Sequence, residues 1–253
     1  MNNKEHIVVA DEDGYFYCRA VDGILNYKHN QHVCGEGCPC YVSCNDGRFV
    51  CKYVEENERL SPFPNIAGLD EKLYRAYLYS ANAHKGQLRK GTDIPYFSHV
   101  ITAMNYALQL TSDVEVLMAV ALHDTVEDTY VTIEDLKNEF GERVAMLVAD
   151  ESEDKRHGVS PSETWEIRKK ETIEHLKEVS HEGKIIALSD KVANAKSVLC
   201  EWQIVGDDIW NKFNQKDKKM QEWYYRSCAD ALSELDDTSV MKEYKYYIEK
   251  LFG

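Results

Sequence analysis

The residues that carry chemistry are concentrated in one short run, Leu122-His123-Asp124-Thr125-Val126-Glu127-Asp128-Thr129. Upstream of it, Asp113 to Ala121 reads as an apolar, buried helix. Such a helix has no packing use for His, Asp, Glu and Asp at its end, because buried charge must be paired or must hold a metal ion. His123 and Glu127 are four apart, and so are Asp124 and Asp128. On a helix these four side chains therefore project from neighbouring ridges of one face. An adjacent His-Asp pair offers one nitrogen and one oxygen ligand to the same ion, and the acids one turn later are placed to handle its water. A plain capping role for the next helix, Thr132-Ile133-Glu134-Asp135, accounts for Asp128 and Thr129 but leaves His123-Asp124 unexplained.

Two further ligands are expected from other helices. His99 sits where a helix begins, beside a basic loop, and is the natural third ligand. Asp190 lies on the apolar stretch Lys184 to Trp202, where Asp190, Asn194 and Ser197 form one polar stripe. A buried Asp needs a cation. Lys191 is the plain candidate, but sequence neighbours point to different sides of a helix, so an ion shared with His123-Asp124 is the better account. Two histidines and two aspartates suit Mn, Fe or Zn, and the carboxylate share without thiols leans toward Mn. Such an ion acidifies water and polarises a phosphoryl oxygen. Glu127 and Asp128 are then the groups that orient or deprotonate that water. Arg89 and Lys90, in the loop before His99, are suited to phosphate, and Arg also stacks on a base. The residues alone lead to a metal-dependent phosphohydrolase that is all helical.

Helices must position these groups. Expected are Glu71 to Lys85, capped by Asp70, with Leu73, Ala76, Tyr77 and Ala81 inward; a helix capped by Ser98 with Ile101, Met104, Ala107 and Leu108 as its stripe; and short helices over Thr132–Phe140 and Glu142–Asp150. Pro161 opens a helix whose Arg168, Lys169 and Lys170 read as a solvated face. The final helices, Gln215–Leu235 and Thr238–Phe252, carry aromatic residues expected to be packing. The 253 residues carry a formal charge of -14, which argues against nucleic acid or an anionic membrane as partner. With no long apolar run and no basic-then-apolar leader, a soluble cytoplasmic protein is expected. A homo-oligomer stays open.

Residues 1 to 65 differ in kind. Ile7–Ala10 and Tyr15–Cys18 flank a turn signal and suit a β-hairpin. Six of the 8 cysteines fall in the first fifth of the chain. Clustered thiols with Gly and Pro between them suit a structural zinc knuckle, for which Cys34, Cys38 and Cys51 are the preferred ligands. Free thiols and an iron–sulfur cluster are the other readings. Ser61-Pro62-Phe63-Pro64 is the linker to the helical domain, 66–253.

Several motifs occur in order: Gln87-Leu88-Arg89-Lys90 leading to Pro95-Tyr96 and His99, then His123 to Thr129, Phe140-Gly141, Asp154-Lys155, and Asp190-Lys191 with Asn194. Over about residues 66 to 235 the chain resembles the hydrolase domain of the RelA/SpoT alarmone enzymes. It is most similar to the small, hydrolase-only members, within the HD phosphohydrolase superfamily. The resemblance implies a mainly α, HD-domain helical bundle behind the Cys-rich extension. It implies a Mn-dependent enzyme of the stringent response that removes the 3′-pyrophosphate of the guanine nucleotides ppGpp or pppGpp, giving GDP or GTP. By motif it assigns His99, His123, Asp124 and Asp190 to the metal and Glu127 and Asp128 to catalysis. Arg89 and Lys90 would contact base and phosphates with Tyr96 nearby, Asn194 and Ser197 would line the nucleoside pocket, and Lys155 would reach the phosphates. Val100 stands where the family usually has Pro, and the loop before Pro95-Tyr96 is a residue longer than in the bifunctional enzymes. Two other readings stay open: the same chemistry on another nucleotide, such as a 3′-phosphorylated dinucleotide, and a non-catalytic nucleotide sensor.

Overall fold

From Leu73 onward apolar residues recur at helical spacing, and in the computed structural model that part of the chain folds as helices around one buried rod. The structure describes residues 71–151 and 160–253, Pro161 by its backbone alone, and, before them, the backbone of five short strands. The chain divides into two compact units, Met1–Leu69 and Asp70–Gly253. In the first, β1 (His6–Val9), β2 (Tyr15–Cys18), β3 (Gly23–Asn26), β4 (Tyr41–Asn45) and β5 (Arg48–Cys51) form two antiparallel sheets. One has the order β1-β5-β4 and the other pairs β2 with β3. Cys34, Cys38 and the turn expected at 11–14 lie outside the described residues, and Cys51 is placed only as the last residue of β5.

The second unit begins with α1 (Glu71–Ala83), α2 (Phe97–Ala107), α3 (Val114–Leu122) and the single turn α4 (Thr125–Asp128). It continues with α5 (Ile133–Phe140), α6 (Glu142–Glu151), α7 (Pro161–Glu178), α8 (His181–Val205), α9 (Lys218–Ala231) and α10 (Ser239–Phe252). Every residue of α3 from Val116 to Leu122 is buried, because α1, α2, α6 and α8 pack around it. Burying a side chain such as Leu117 or Leu122 is worth about 1.5–3 kcal/mol, so this rod is held rigidly. α8 runs alongside and also packs on α2, α6 and α10. No helix among the described residues is long and apolar enough to cross a membrane.

Three expectations need correction. α2 starts at Phe97 with no side-chain cap, and Ser98 lies inside its first turn, since the backbone N–H groups of Ser98 and His99 bond back to Pro95 and Tyr96. Its buried face is Val100, Ala103, Met104, Tyr106 and Ala107, and Ile101 is exposed. Because α2 faces both α3 and α8, its buried arc is turned away from Ile101. Arg168 is not on a solvated face either: it is 8% exposed, and its Nε donates to Thr164 Oγ1 at 3.2 Å.

Asp113 fixes where α3 begins. Its carboxylate accepts from the backbone N–H groups of Glu115 and Val116 and also takes Arg143, at 2.8 Å and 3.1 Å. Asp113→Ala is expected to lower stability by about 1–2 kcal/mol through the lost cap. Arg143→Met should cost less, about 0–1 kcal/mol for an exposed pair. Thermal or urea unfolding of the two variants checks the ranking.

Candidate active site

The end of α3 places His123 and Asp124. The backbone keeps right-handed helical angles through both residues, and the Asp128 N–H bonds to the Asp124 carbonyl at 2.9 Å. Four-residue spacing therefore survives the break between α3 and α4. The Nδ1–H of His123 donates to the Val120 carbonyl at 2.8 Å, which fixes the ring so that Nε2 is the atom aimed inward. His99, in the first turn of α2, brings its Nε2 to 3.3 Å from that atom. Asp124 Oδ2 lies 2.9 Å from His123 Nε2 and 3.4 Å from His99 Nε2. Oδ1 of Asp190, on α8, lies 3.1 Å from His99 Nε2 and 3.7 Å from His123 Nε2.

These separations suit one divalent ion. Donors about 2.0–2.2 Å from a common centre lie roughly 3.0–3.5 Å from one another in octahedral or tetrahedral arrangements. His99, His123 and Asp124 form a compact group of metal-ligating atoms, all within 4.8 Å of one another. Asp190 completes a set of two nitrogens and two oxygens. The set is buried, with His99 and His123 nearly inaccessible. Burial opposes charge on His123, but Asp124 and Asp190 outweigh it and hold its proton on well above the usual imidazole range. Burial likewise pushes Asp124 and Asp190 up, and the neighbouring cations prevail and keep both ionised. A divalent ion supplies that positive charge without a proton.

The pairing of Asp190 corrects one expectation. Lys191 does reach it, with Nζ 2.7 Å from Oδ2, because a four-carbon stem can fold back along a helix although its Cβ points elsewhere. The two carboxylate oxygens divide the work: Oδ2 takes Lys191, and Oδ1 faces the histidines. Oδ1 also accepts Asn194 Nδ2 at 2.6 Å. Asn194 Oδ1 accepts Arg89 at 2.9 Å, and the Arg89 guanidinium sits 5.5 Å from the centre of the Tyr96 ring. The Tyr96 hydroxyl donates to Asp124 Oδ2 at 2.7 Å. Burial, then Asp124, raise its pKa far above the usual phenol range, so it stays a donor. Arg89 and Tyr96 come from one small hairpin, pinned by Arg89 N–H to the Ile94 carbonyl at 2.8 Å and Tyr96 N–H to the Gln87 carbonyl at 2.8 Å. Gly91 turns it with a φ of 76°, which glycine adopts without steric cost.

Glu127 is half-buried and Asp128 exposed, both on α4 beside the donor set. Lys90 is exposed and reaches Asn214 at 3.4 Å. Ser197 is half-buried, three residues beyond Asn194 on α8. Lys155 lies outside the described residues. Two neighbours of the site carry no sequence signal: Glu151, at the end of α6, and His84, just past the end of an amphipathic helix.

A family model described as HD domain matches residues 76–217, a span that holds all four donors and Glu127 and Asp128. The chain belongs to the HD domain family. Over 124 residues it is 35% identical to the guanosine-3′,5′-bis(diphosphate) 3′-pyrophosphohydrolase MESH1 of Danio rerio, a match covering 47% of this chain and 65% of that protein. With the Drosophila melanogaster MESH1 it shares 36% over 131 residues, 50% of this chain and 69% of the relative. The chain thus spans just under two thirds of the length of the Danio relative. A solved structure described as a metazoan ortholog of SpoT that hydrolyzes ppGpp matches with a TM-score of 0.58 at 25% identity, covering 72% of this chain and 96% of that one. Within the HD family the chain is of the RelA/SpoT type, in line with the resemblance its motifs carry.

Glu151, the last residue of α6, has Oε1 buried without a hydrogen-bond partner. Burial pushes its carboxyl up from 4.5 to about 7. Between those values the folded chain keeps a proton that the unfolded chain has released, so this group makes stability fall as pH rises from about 4.5 to about 7 and leaves it level above. The loss is on the order of 3 kcal/mol. In chelator-treated protein, Glu151→Gln is expected to melt higher than wild type at pH 8, with the gap closing at pH 5. An equal gap at both pH values would contradict the buried carboxyl as its cause.

Proposed function

We propose that this protein is a metal-dependent 3′-pyrophosphohydrolase acting on ppGpp or pppGpp and yielding GDP or GTP with pyrophosphate. The observation that carries the reading is the convergence of His99, His123, Asp124 and Asp190 on one point, with two more carboxylates, Glu127 and Asp128, one turn beyond. The names of the relatives supply the nucleotide; fold alone would not. The ion is proposed to be Mn2+, on the argument that carboxylates form half of a donor set with no thiols. Cytoplasmic placement belongs to the same proposal, since its substrates are intracellular nucleotides.

When bound, a divalent ion acidifies water and polarises a phosphoryl oxygen. The remaining work falls to this chain's side chains. His123 presents Nε2 because Nδ1–H is tied to Val120, and Asp190 presents Oδ1 because Lys191 holds Oδ2. Glu127 and Asp128 accept the proton of the attacking water and orient it toward the 3′-phosphoryl group. Arg89 and Lys90 meet the phosphates, Arg89 by exchanging its Asn194 partner for the nucleotide, and the motif match assigns Lys155 to the phosphates as well. Asn194, Ser197 and Tyr96 line the nucleoside.

The test is a panel of ppGpp, pppGpp, 3′-phosphorylated dinucleotides and ordinary nucleoside triphosphates with Mn-loaded protein. Pyrophosphate release from ppGpp, abolished by chelation, is expected. Turnover of another member alone would keep the chemistry and replace the substrate. Tight nucleotide binding without turnover would make the protein a sensor. In the same assay Glu127→Gln and Asp128→Asn should each lower kcat about 10²–10⁴-fold while Mn2+ affinity is retained. Full activity in both variants would contradict their roles.

A further inference from the structure

One buried polar side chain stands beside the centre with no task assigned so far. His84, just past the end of α1, is 3% exposed. Its Nδ1–H donates to Gln87 Oε1 at 2.8 Å, but its Nε2 is buried without a hydrogen-bond partner. An unpaired buried polar atom costs about 1–3 kcal/mol, a cost that an apolar side chain in that space would avoid. What the imidazole does contact is Tyr96: the rings stack with centroids 4.8 Å apart and planes 25° from parallel. Tyr96 touches the donor set twice. Its hydroxyl donates to Asp124 Oδ2 at 2.7 Å, and its ring meets the His99 ring edgewise at 5.8 Å. The backbone ties the three residues together, since the His84 carbonyl accepts the Gln87 N–H at 3.0 Å and the Gln87 carbonyl accepts the Tyr96 N–H at 2.8 Å.

We propose that His84 is a positioning residue for the metal centre: its ring braces Tyr96, so that the phenol keeps Asp124 facing His99 and His123. Arg89 also rests on the Tyr96 ring, but in the proposed reaction Arg89 turns to the nucleotide. His84 then remains as the brace that does not depend on substrate. Partners that orient a metal ligand typically change metal affinity by 10–100-fold when removed. The inference rests on the hydrolase reading only in taking the reaction's ion as the one that Asp124 holds.

The test is Mn2+ affinity, measured by titration calorimetry without nucleotide, with thermal melting as the check on folding. His84→Leu keeps bulk but loses the stacking face and should weaken Mn2+ binding about 10-fold. His84→Phe keeps an aromatic face and should stay within about threefold of wild type. In a Tyr96→Phe background, adding His84→Leu should cause no further loss, since both act through the one hydroxyl. Wild-type affinity in His84→Leu, equal losses in the Leu and Phe variants, or fully additive losses with Tyr96→Phe would each overturn the proposal. Protein that binds Mn2+ as described yet hydrolyses no alarmone would sink the proposed substrate and leave this inference standing.

Discussion

Two carboxylates, Asp124 and Asp190, are held ionised where little water reaches them, and the rest of the helical unit is arranged around that fact. Each is 15–17% exposed at the side chain, and two nearly inaccessible imidazoles lie within 2.9–3.7 Å of their inward oxygens. Burying an ionised carboxylate without compensation costs many kcal/mol. The compensation is assembled from three directions: histidines from α2 and the end of α3, Lys191 from α8, and neutral donors from Tyr96 and Asn194. A divalent cation is the natural completion of such a set.

The scaffold follows from the need to hold four donors to within a fraction of an ångström. α3 is apolar on every side, so it is clamped by its neighbours and cannot rotate, and its last turn delivers His123 and Asp124 at a fixed depth. α8 crosses the same core with Ile185, Ile186, Leu188 and Val192 buried, and it offers the one polar stripe at the height of that turn. The hairpin of residues 87–96 closes the arrangement through Arg89 to Asn194 and Tyr96 to Asp124. The centre is therefore a circuit of side chains in which His123 is oriented by the Val120 carbonyl, Asp124 by Tyr96 and Asp190 by Lys191 and Asn194, and Arg89 touches both halves of it through Asn194 and the Tyr96 ring.

The donor set was legible in the sequence for a plain reason. Polar residues with ligand chemistry stand out at the end of a buried helix, as His123 and Asp124 do, and an acid on an apolar helix stands out likewise, as Asp190 does. The RelA/SpoT resemblance carried the family, which the HD domain match and the MESH1 relatives bear out. What stayed hidden depends on side-chain reach and on packing partners. Helical spacing gives the direction of a Cβ but not the end of a lysine stem, so Lys191 was set aside. Ile101 and Arg168 were misplaced because burial depends on which neighbours a helix meets, and α2 meets two. His84 acts through a ring twelve residues away, a pairing that no periodicity announces.

The central claim is that two imidazoles and two carboxylates hold one ion. Pulsed electron paramagnetic resonance of the protein loaded with Mn2+ reads this directly, because nitrogen ligands leave resolvable couplings. The account predicts one tightly bound ion per chain with couplings to two nitrogens, one lost in His99→Ala and the other in His123→Ala. Tight binding without nitrogen coupling, or couplings that survive both substitutions, would contradict it.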